Sequence, residues 1–219
     1  MHPQHHEGAF FHIIWWGALD YAVFFSYLCA NFFKNSTHMA DITVKGLTFE
    51  PFISHEEIAK QVERVAAEIK RDCVTECPIF ICVLNGAFMF AADLYRVIDM
   101  PHSEITFIRY KSYEGTHSTG SVKQILGLQE DITDREVIVI EDIVDTGHTA
   151  QRLRDDLMAH NPKSVKLATL LFKPDSLVEG DAPEYVGFSI PPKFILGYGL
   201  DLDELARGTR DIYALKGNE

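Results

Sequence analysis

The stretch Val137 to Ala150 reads VIVIEDIVDTGHTA and places carboxylates at Glu141, Asp142 and Asp145, hydroxyls at Thr146 and Thr149, and Gly147 and His148 between them. The apolar VIVI run reads as a strand covered on both faces, and Thr149 to Ala159 reads as a helix. A turn joining such a strand to a helix lies at the carboxyl edge of an α/β sheet, where open sheets bind ligands. Gly147 lets backbone amides come close to a ligand. The first turn of the helix adds oriented N–H groups with a favourable dipole, so the segment forms an anion cradle. Glu141 and Asp142 cannot bind phosphate themselves. They can accept hydrogen bonds from sugar hydroxyls or hold water around Mg2+. The pattern therefore asks for a sugar phosphate with free hydroxyls and a metal, whereas a Walker-type site would use glycine and lysine.

Other settings account for parts of the string. VDTG occurs in aspartic proteases, but there in an all-β context. A receiver-domain acid pocket uses strand-end carboxylates without needing the DTGHT cradle. An N-capping turn with solvated acids explains Asp145 or Thr149 singly, not the whole.

The elements that must position this turn are legible around it. Ser54-x-x-Glu57 is a capping box, opening a helix with Ile58, Val62, Val65 and Ile69 at helical spacing. Ile79–Leu84 is a continuous apolar strand, and Gly86 turns the chain into a helix over Phe88–Ile98. Strands are predicted at 105–110, 122–126 and 165–172, and the polar stretch 111–121 (KSYEGTHSTGS) is a long loop. Alternating strands and helices predict an α/β fold: a parallel twisted sheet flanked by helices. The segment after Pro174, richer in Pro, Gly and aromatics, is expected to build a small cap, or hood, with residues 40–55, so the cap spans about 40–55 and 175–219.

A chain of 219 residues suits one domain, or one with a small appendage. With 47% hydrophobic and 24% charged residues it is no disordered chain. A net charge of −12 argues against a nucleic-acid backbone or an anionic membrane as main partner. Cys29, Cys73, Cys77 and Cys82 offer no second pair at metal-ligand spacing and read as free thiols in a reducing compartment. Residues 1–38 differ from the rest. Ala9 to Phe33 is an apolar run long enough for a bilayer, yet it contains His12 and Asp20 and lacks a basic start or a cleavage site. The preferred reading is an extension not needed for function, with the domain starting at Met39. The rival is an anchor, in which case Lys34 would direct the domain to the cytoplasmic side. Either way the catalytic part is expected in the cytoplasm.

The VIVIEDIVDTGHTA segment resembles the phosphoribosyl-pyrophosphate motif of the type I phosphoribosyltransferases. VLNGAFMFAADLYR (83–96), FIRYKSYEGTHSTGSVK (107–123), LLFKP (170–174) and KFILGYGLD (193–201) are similar to the hypoxanthine-guanine phosphoribosyltransferases of that family, in unbroken order from Met39 onward. The resemblance implies the type I phosphoribosyltransferase fold and purine salvage: phosphoribosyl pyrophosphate plus hypoxanthine or guanine gives IMP or GMP and pyrophosphate, with Mg2+. It also implies a homodimer or homotetramer.

By position, it gives Glu141 and Asp142 the ribose hydroxyls, with both near Mg2+, and Asp145 the proton at purine N7. Asp145, Thr146, Gly147, His148 and Thr149 wrap the 5′-phosphate. Lys173 reads the 6-oxo group, Phe194 stacks on the purine, and the Ile195 backbone reads its edge. Asp201 lies near Mg2+ and the base, Asn85, Gly86 and Arg207 hold pyrophosphate, and Ser112 and Tyr113 belong to a closing lid. Many relatives carry lysine where this chain has Asn85, which leaves pyrophosphate held more by backbone, through a cis Leu84–Asn85 peptide. A nucleotide-sensing regulator on the same fold is the alternative. The complete lid, Asp145, Lys173 and the acidic charge favour the enzyme.

Overall fold

The computed structural model describes residues 40–75, 77–112 and 122–217. The expectations for residues 1–38, and for Tyr113 and the rest of the lid through Ser121, fall outside this set. In chain order the elements are β1 (Ile42–Val44), β2 (Leu47–Ile53), α1 (His55–Asp72), β3 (Ile79–Leu84), α2 (Phe88–Ile98), β4 (Glu104–Ser112), β5 (Val122–Leu126), β6 (Glu136–Val144), α3 (His148–Met158), β7 (Ser164–Phe172), β8 (Tyr185–Ser189), β9 (Ile195–Leu196) and β10 (Ile212–Leu215). A short 3-10 turn, Pro174–Ser176, follows β7.

The two-residue period of the central strands divides the interior. Phe80 and Cys82 of β3 and Ile138 and Ile140 of β6 meet Ile58, Val62, Val65 and Ile69 of α1 and Phe90, Leu94 and Ile98 of α2. The intervening Ile79, Ile81, Val83, Val137 and Val139 meet Leu153 and Leu157 of α3. Both sheet faces are therefore covered, which is why β3 and the Val137–Ile140 run of β6 are apolar at every position. The capping box forms as expected: the Ser54 hydroxyl accepts from Glu57 N–H, and the Glu57 carboxylate accepts from Ser54 N–H at 3.0 Å. Such a cap contributes about 1 kcal/mol.

The main sheet runs β5-β4-β3-β6-β7-β8, with β4, β3, β6, β7 and β8 parallel and β5 antiparallel to β4. Residues 113–121 are too few for the crossover a parallel neighbour requires, so β5 must reverse. The second sheet, β1-β2-β10-β9, is antiparallel throughout and joins residues 42–53 to 195–215. One expected boundary shifts. Residues 185–189, placed in the cap by composition, form an edge strand of the main sheet: Tyr185 is buried, and the strand pairs from Ala168↔Tyr185 to Phe172↔Ser189. It covers an edge of β7 that would otherwise leave backbone groups unpaired. Cys73, Cys77 and Cys82 are free. No helix among the described residues is long and apolar enough to cross a membrane.

Candidate active site

Adjacent parallel strands β3, β6 and β7 end side by side, and each delivers a piece of the site. The β6 ladder with β7 continues past Ile140 through Glu141↔Thr169, Ile143↔Leu171 and Val144↔Phe172. Glu141 and Asp142 therefore lie on the strand itself, not in the turn where the sequence reading placed them. The same register sets Lys173, one residue past β7, beside Asp145, one residue past β6. Lys173 N–H donates to the Val144 carbonyl at 2.9 Å, and its Nζ meets Asp145 Oδ2 at 2.6 Å. The lysine side chain is 10% exposed and the aspartate 46%. The protected cation thus backs a carboxylate that faces open space.

Beyond them is a cavity of about 230 Å³ lined by Glu141, Asp142, Ile143, Val144, Asp145, Thr146, Gly147, Thr149 and Ala150. Gly147 is the N-cap of α3 with φ +87°, and no side chain caps the helix there. The first-turn amides are thus left for another acceptor. A Cβ on Gly147 would stand 1.9 Å from the Glu179 carbonyl oxygen, so both the left-handed backbone and this contact require glycine. Glu179 and Val178 also donate their N–H groups to Thr146 O, at 3.1 and 3.0 Å. His148 stands apart. It is absent from the cavity lining, and its exposed ring pairs with the Glu179 carboxylate.

Burial pushes the Glu141 carboxyl well above the usual range, and the neighbouring Asp142 charge adds to this. Burial raises Asp142 too, against hydrogen bonds from Ile143 N–H (2.7 Å) and other donors and the field of Arg207. Two adjacent desolvated carboxylates are costly unless hydroxyl donors or a cation meet them. That donor set fits a divalent ion with ribose hydroxyls.

The β3 end supplies Asn85 and Gly86, and the Leu84–Asn85 peptide is cis as the motif suggested. Gly86 lies between two parts of the site: a Cβ there would be 1.5 Å from Asp142 Oδ2, and a Cβ on Gly199 would be 2.1 Å from Gly86 O. The 197–207 loop is thus seated on the Asn85–Gly86 turn. Its Arg207 donates through Nη1 to Gly199 O (2.7 Å) and pairs through Nη2 with Asp201 Oδ1 (2.7 Å) and Glu204 Oε2 (2.9 Å). Asp201 Oδ2 accepts from Glu204 N–H at 2.6 Å, so Asp201 already braces the loop with both oxygens. Tyr198 ties the loop to α2 through Asp93, at 2.6 Å.

Ile195 is buried core. Phe194 remains 48% exposed, on the small sheet, with its ring 6.2 Å from Phe49. Ser112 closes β4 opposite Val122 of β5. Three residues that the sequence reading gave no role are drawn in here: Gly199, Glu204 and Glu179. Only Gly199 carried a signal, as the second glycine of the GYG in KFILGYGLD.

A strand-end anion cradle, paired carboxylates and a lysine–aspartate couple on a five-stranded parallel sheet define a phosphoribosyl-transferring protein, and this chain belongs to the phosphoribosyltransferase family: the phosphoribosyl transferase domain matches residues 52–203. The chain is 38% identical over 165 residues to the hypoxanthine-guanine phosphoribosyltransferase of Streptococcus pneumoniae, covering 75% of this chain and 91% of that one. It is 40% identical over 159 residues to the hypoxanthine phosphoribosyltransferase of Salmonella typhimurium, covering 70% and 88%. The crystal structure of a hypoxanthine-guanine phosphoribosyltransferase from Bacillus anthracis superposes with a TM-score of 0.72 at 41% identity, covering 76% of this chain and 98% of that one.

Proposed function

We propose that this enzyme salvages 6-oxopurines, transferring the phosphoribosyl group of phosphoribosyl pyrophosphate to hypoxanthine or guanine to give IMP or GMP and pyrophosphate. The observation that carries the reading is the Asp145–Lys173 pair at 2.6 Å, with Asp145 lining the cavity. A purine set against it meets a carboxylate for the proton on N7 and an ammonium for the 6-oxo oxygen. Lysine has three N–H donors, and here one meets Asp145.

As N9 of the base attacks C1 of the ribose, the C1–oxygen bond to pyrophosphate breaks and the sugar gains oxocarbenium character. Asp145, ionised, supports that positive charge and takes the N7 proton. Glu141 and Asp142 hold the ribose hydroxyls. The amides and hydroxyls of Asp145–Thr149 hold the 5′-phosphate. Arg207 and the backbone of the Asn85–Gly86 turn receive the departing pyrophosphate, and Phe194 and the Ile195 backbone position the ring. By the family resemblance, Ser112 and Tyr113 would belong to a lid that excludes water. Glu141 and Asp142, through water and ribose hydroxyls, with Asp201 nearby, would hold Mg2+, which when bound neutralises pyrophosphate and eases its departure.

Regulatory nucleotide sensing on this fold is the weaker reading, because the relatives matched over most of their length bear enzyme names. A panel of hypoxanthine, guanine and xanthine assayed with the wild type and Asp145→Asn tests the proposal. Turnover in the variant is expected to fall on the order of 10²- to 10⁴-fold, with phosphoribosyl-pyrophosphate binding kept. Full activity in the variant would overturn the role of Asp145. Tight nucleotide binding without turnover on any base would favour the sensor.

A further inference from the structure

Glu204 sets its carboxylate where the reading above sets pyrophosphate. Its Oε2 accepts from Arg207 Nε at 3.2 Å and Nη2 at 2.9 Å. Arg207 does most to hold that carboxylate's pKa below the usual range, and Arg109 and the Asn85 side chain lie near enough to help. Arg109 is the β4 residue paired with Leu84 in the parallel ladder. Arg207 of the 197–207 loop therefore holds one internal anion directly, with Arg109 of β4 and Asn85 of the β3 turn nearby.

The backbone holds Glu204 in place for this. Its φ is +67°, with Asp203 at +49° and Ala206 at +72°, values that residues with a Cβ take when their surroundings enforce them. Leu202 and Leu205 exchange two N–H···O bonds of 3.1 Å around it, and its own N–H is fixed on Asp201. The side chain itself is 68% exposed, so its polar partners hold it, not packing. It can swing into water when a better anion arrives. Asn85 contributes no charge, and Arg207 is shared between Asp201 and Glu204. The arriving anion must then compete for a guanidinium that two carboxylates already neutralise.

We infer that Glu204 is a built-in competitor for pyrophosphate: it occupies Arg207, gives way to the arriving anion, returns as product leaves, and so weakens product retention. This rests on Arg207 being a pyrophosphate contact. The test is calorimetric titration of pyrophosphate in Mg2+ buffer into the wild type, Glu204→Gln and Arg207→Gln, with pyrophosphate product inhibition measured in parallel. An exposed ion pair is a modest restraint, so Glu204→Gln should tighten pyrophosphate by roughly two- to fivefold and lower its inhibition constant by the same factor. The KM for the base should stay unchanged. Glu204→Asp, which draws the carboxylate back by one methylene, should shift binding in the same direction and serves if the glutamine variant melts early.

If pyrophosphate binding is unchanged or weaker in both Glu204 variants while Arg207→Gln still loses affinity, Glu204 is a brace for Arg207 and the inference fails alone. If Arg207→Gln binds pyrophosphate like the wild type, the site assignment beneath it fails.

Discussion

Gly86 and Asp142 approach so closely that a single added carbon on the glycine would stand 1.5 Å from the aspartate Oδ2. The end of β3 is thereby locked to the carboxylate pair of β6, and Gly199 presses on the same glycine from the other side. Gly86→Ala must displace either the half-buried Asp142 carboxylate or the Asn85–Gly86 turn. A misplacement of about an ångström at a reacting centre costs on the order of 10²-fold, and that is the loss of kcat/KM expected, with KM for phosphoribosyl pyrophosphate raised. Gly208→Ala, whose Cβ would meet nothing within 4 Å, is the control. Equal losses in both variants would show that the contact with Asp142 is not the cause.

Lys173→Met removes the cation behind Asp145 at nearly unchanged side-chain length. Hydrogen bonds to charged groups contribute roughly 1.5–3 kcal/mol, so the base should bind about ten- to a hundredfold more weakly. Phosphoribosyl-pyrophosphate affinity should change little. Steady-state kinetics with each substrate varied in turn separates the two. A loss falling on phosphoribosyl pyrophosphate instead would move Lys173 away from the base.

Glu136 tests the fold independently of the site. It is buried at the start of β6, and burial alone would raise its pKa. Donations from Thr75 Oγ1 (2.8 Å), Thr75 N–H (2.8 Å) and Val74 N–H (3.1 Å), with Lys163 nearby, outweigh that and hold it below 4.5. A carboxyl with a depressed folded pKa stabilises the protein above its unfolded pKa, and that contribution fades as pH falls through the folded value. Glu136→Gln should therefore cost roughly 1.5–3 kcal/mol near neutrality and progressively less in acid below 4.5. Urea melts of both proteins across that range check it. A difference that is constant with pH would deny the carboxylate its charged role.

Thiol chemistry separates the cysteines. Burial, reinforced by Glu141 and Asp142, pushes Cys82 up to about 12, whereas Cys77 is exposed. Since the thiolate is the reactive form, iodoacetamide at neutral pH should label Cys77 in the folded enzyme and reach Cys82 only after unfolding. Peptide mapping gives the answer, and comparable labelling of the two without denaturant would contradict the packing.

Much of this was legible in the chain because local signals and tertiary structure agree. β3, α2 and β5 span the residues their patterns indicated, and the Ser54 capping box forms. Disagreements arise where pairing partners are distant. β6 extends through the polar Glu141 and Asp142 because β7 supplies a ladder that periodicity within β6 cannot reveal. β8 lay hidden in a segment whose Pro, Gly and aromatic content suggested only the cap. Glu204 reads as one more surface acid until the fold gathers Asn85 and Arg207 around it.

The small antiparallel sheet has a consequence for how the enzyme is made. β10 completes it by pairing with β2, Ile212 against Ile53, across more than half the chain. Such distant closure is slow relative to local contacts. A nascent chain that has emerged as far as Phe172 already contains Glu141, Asp142, the Asp145–Thr149 turn and the residues of four of the five parallel strands. It still lacks Phe194, Ile195, Asp201 and Arg207. On the proposed assignment, then, the sugar-phosphate half of the site can be synthesised before the half proposed to receive base and pyrophosphate. The ribosome releases a working transferase only when the strand that closes the smaller sheet has arrived.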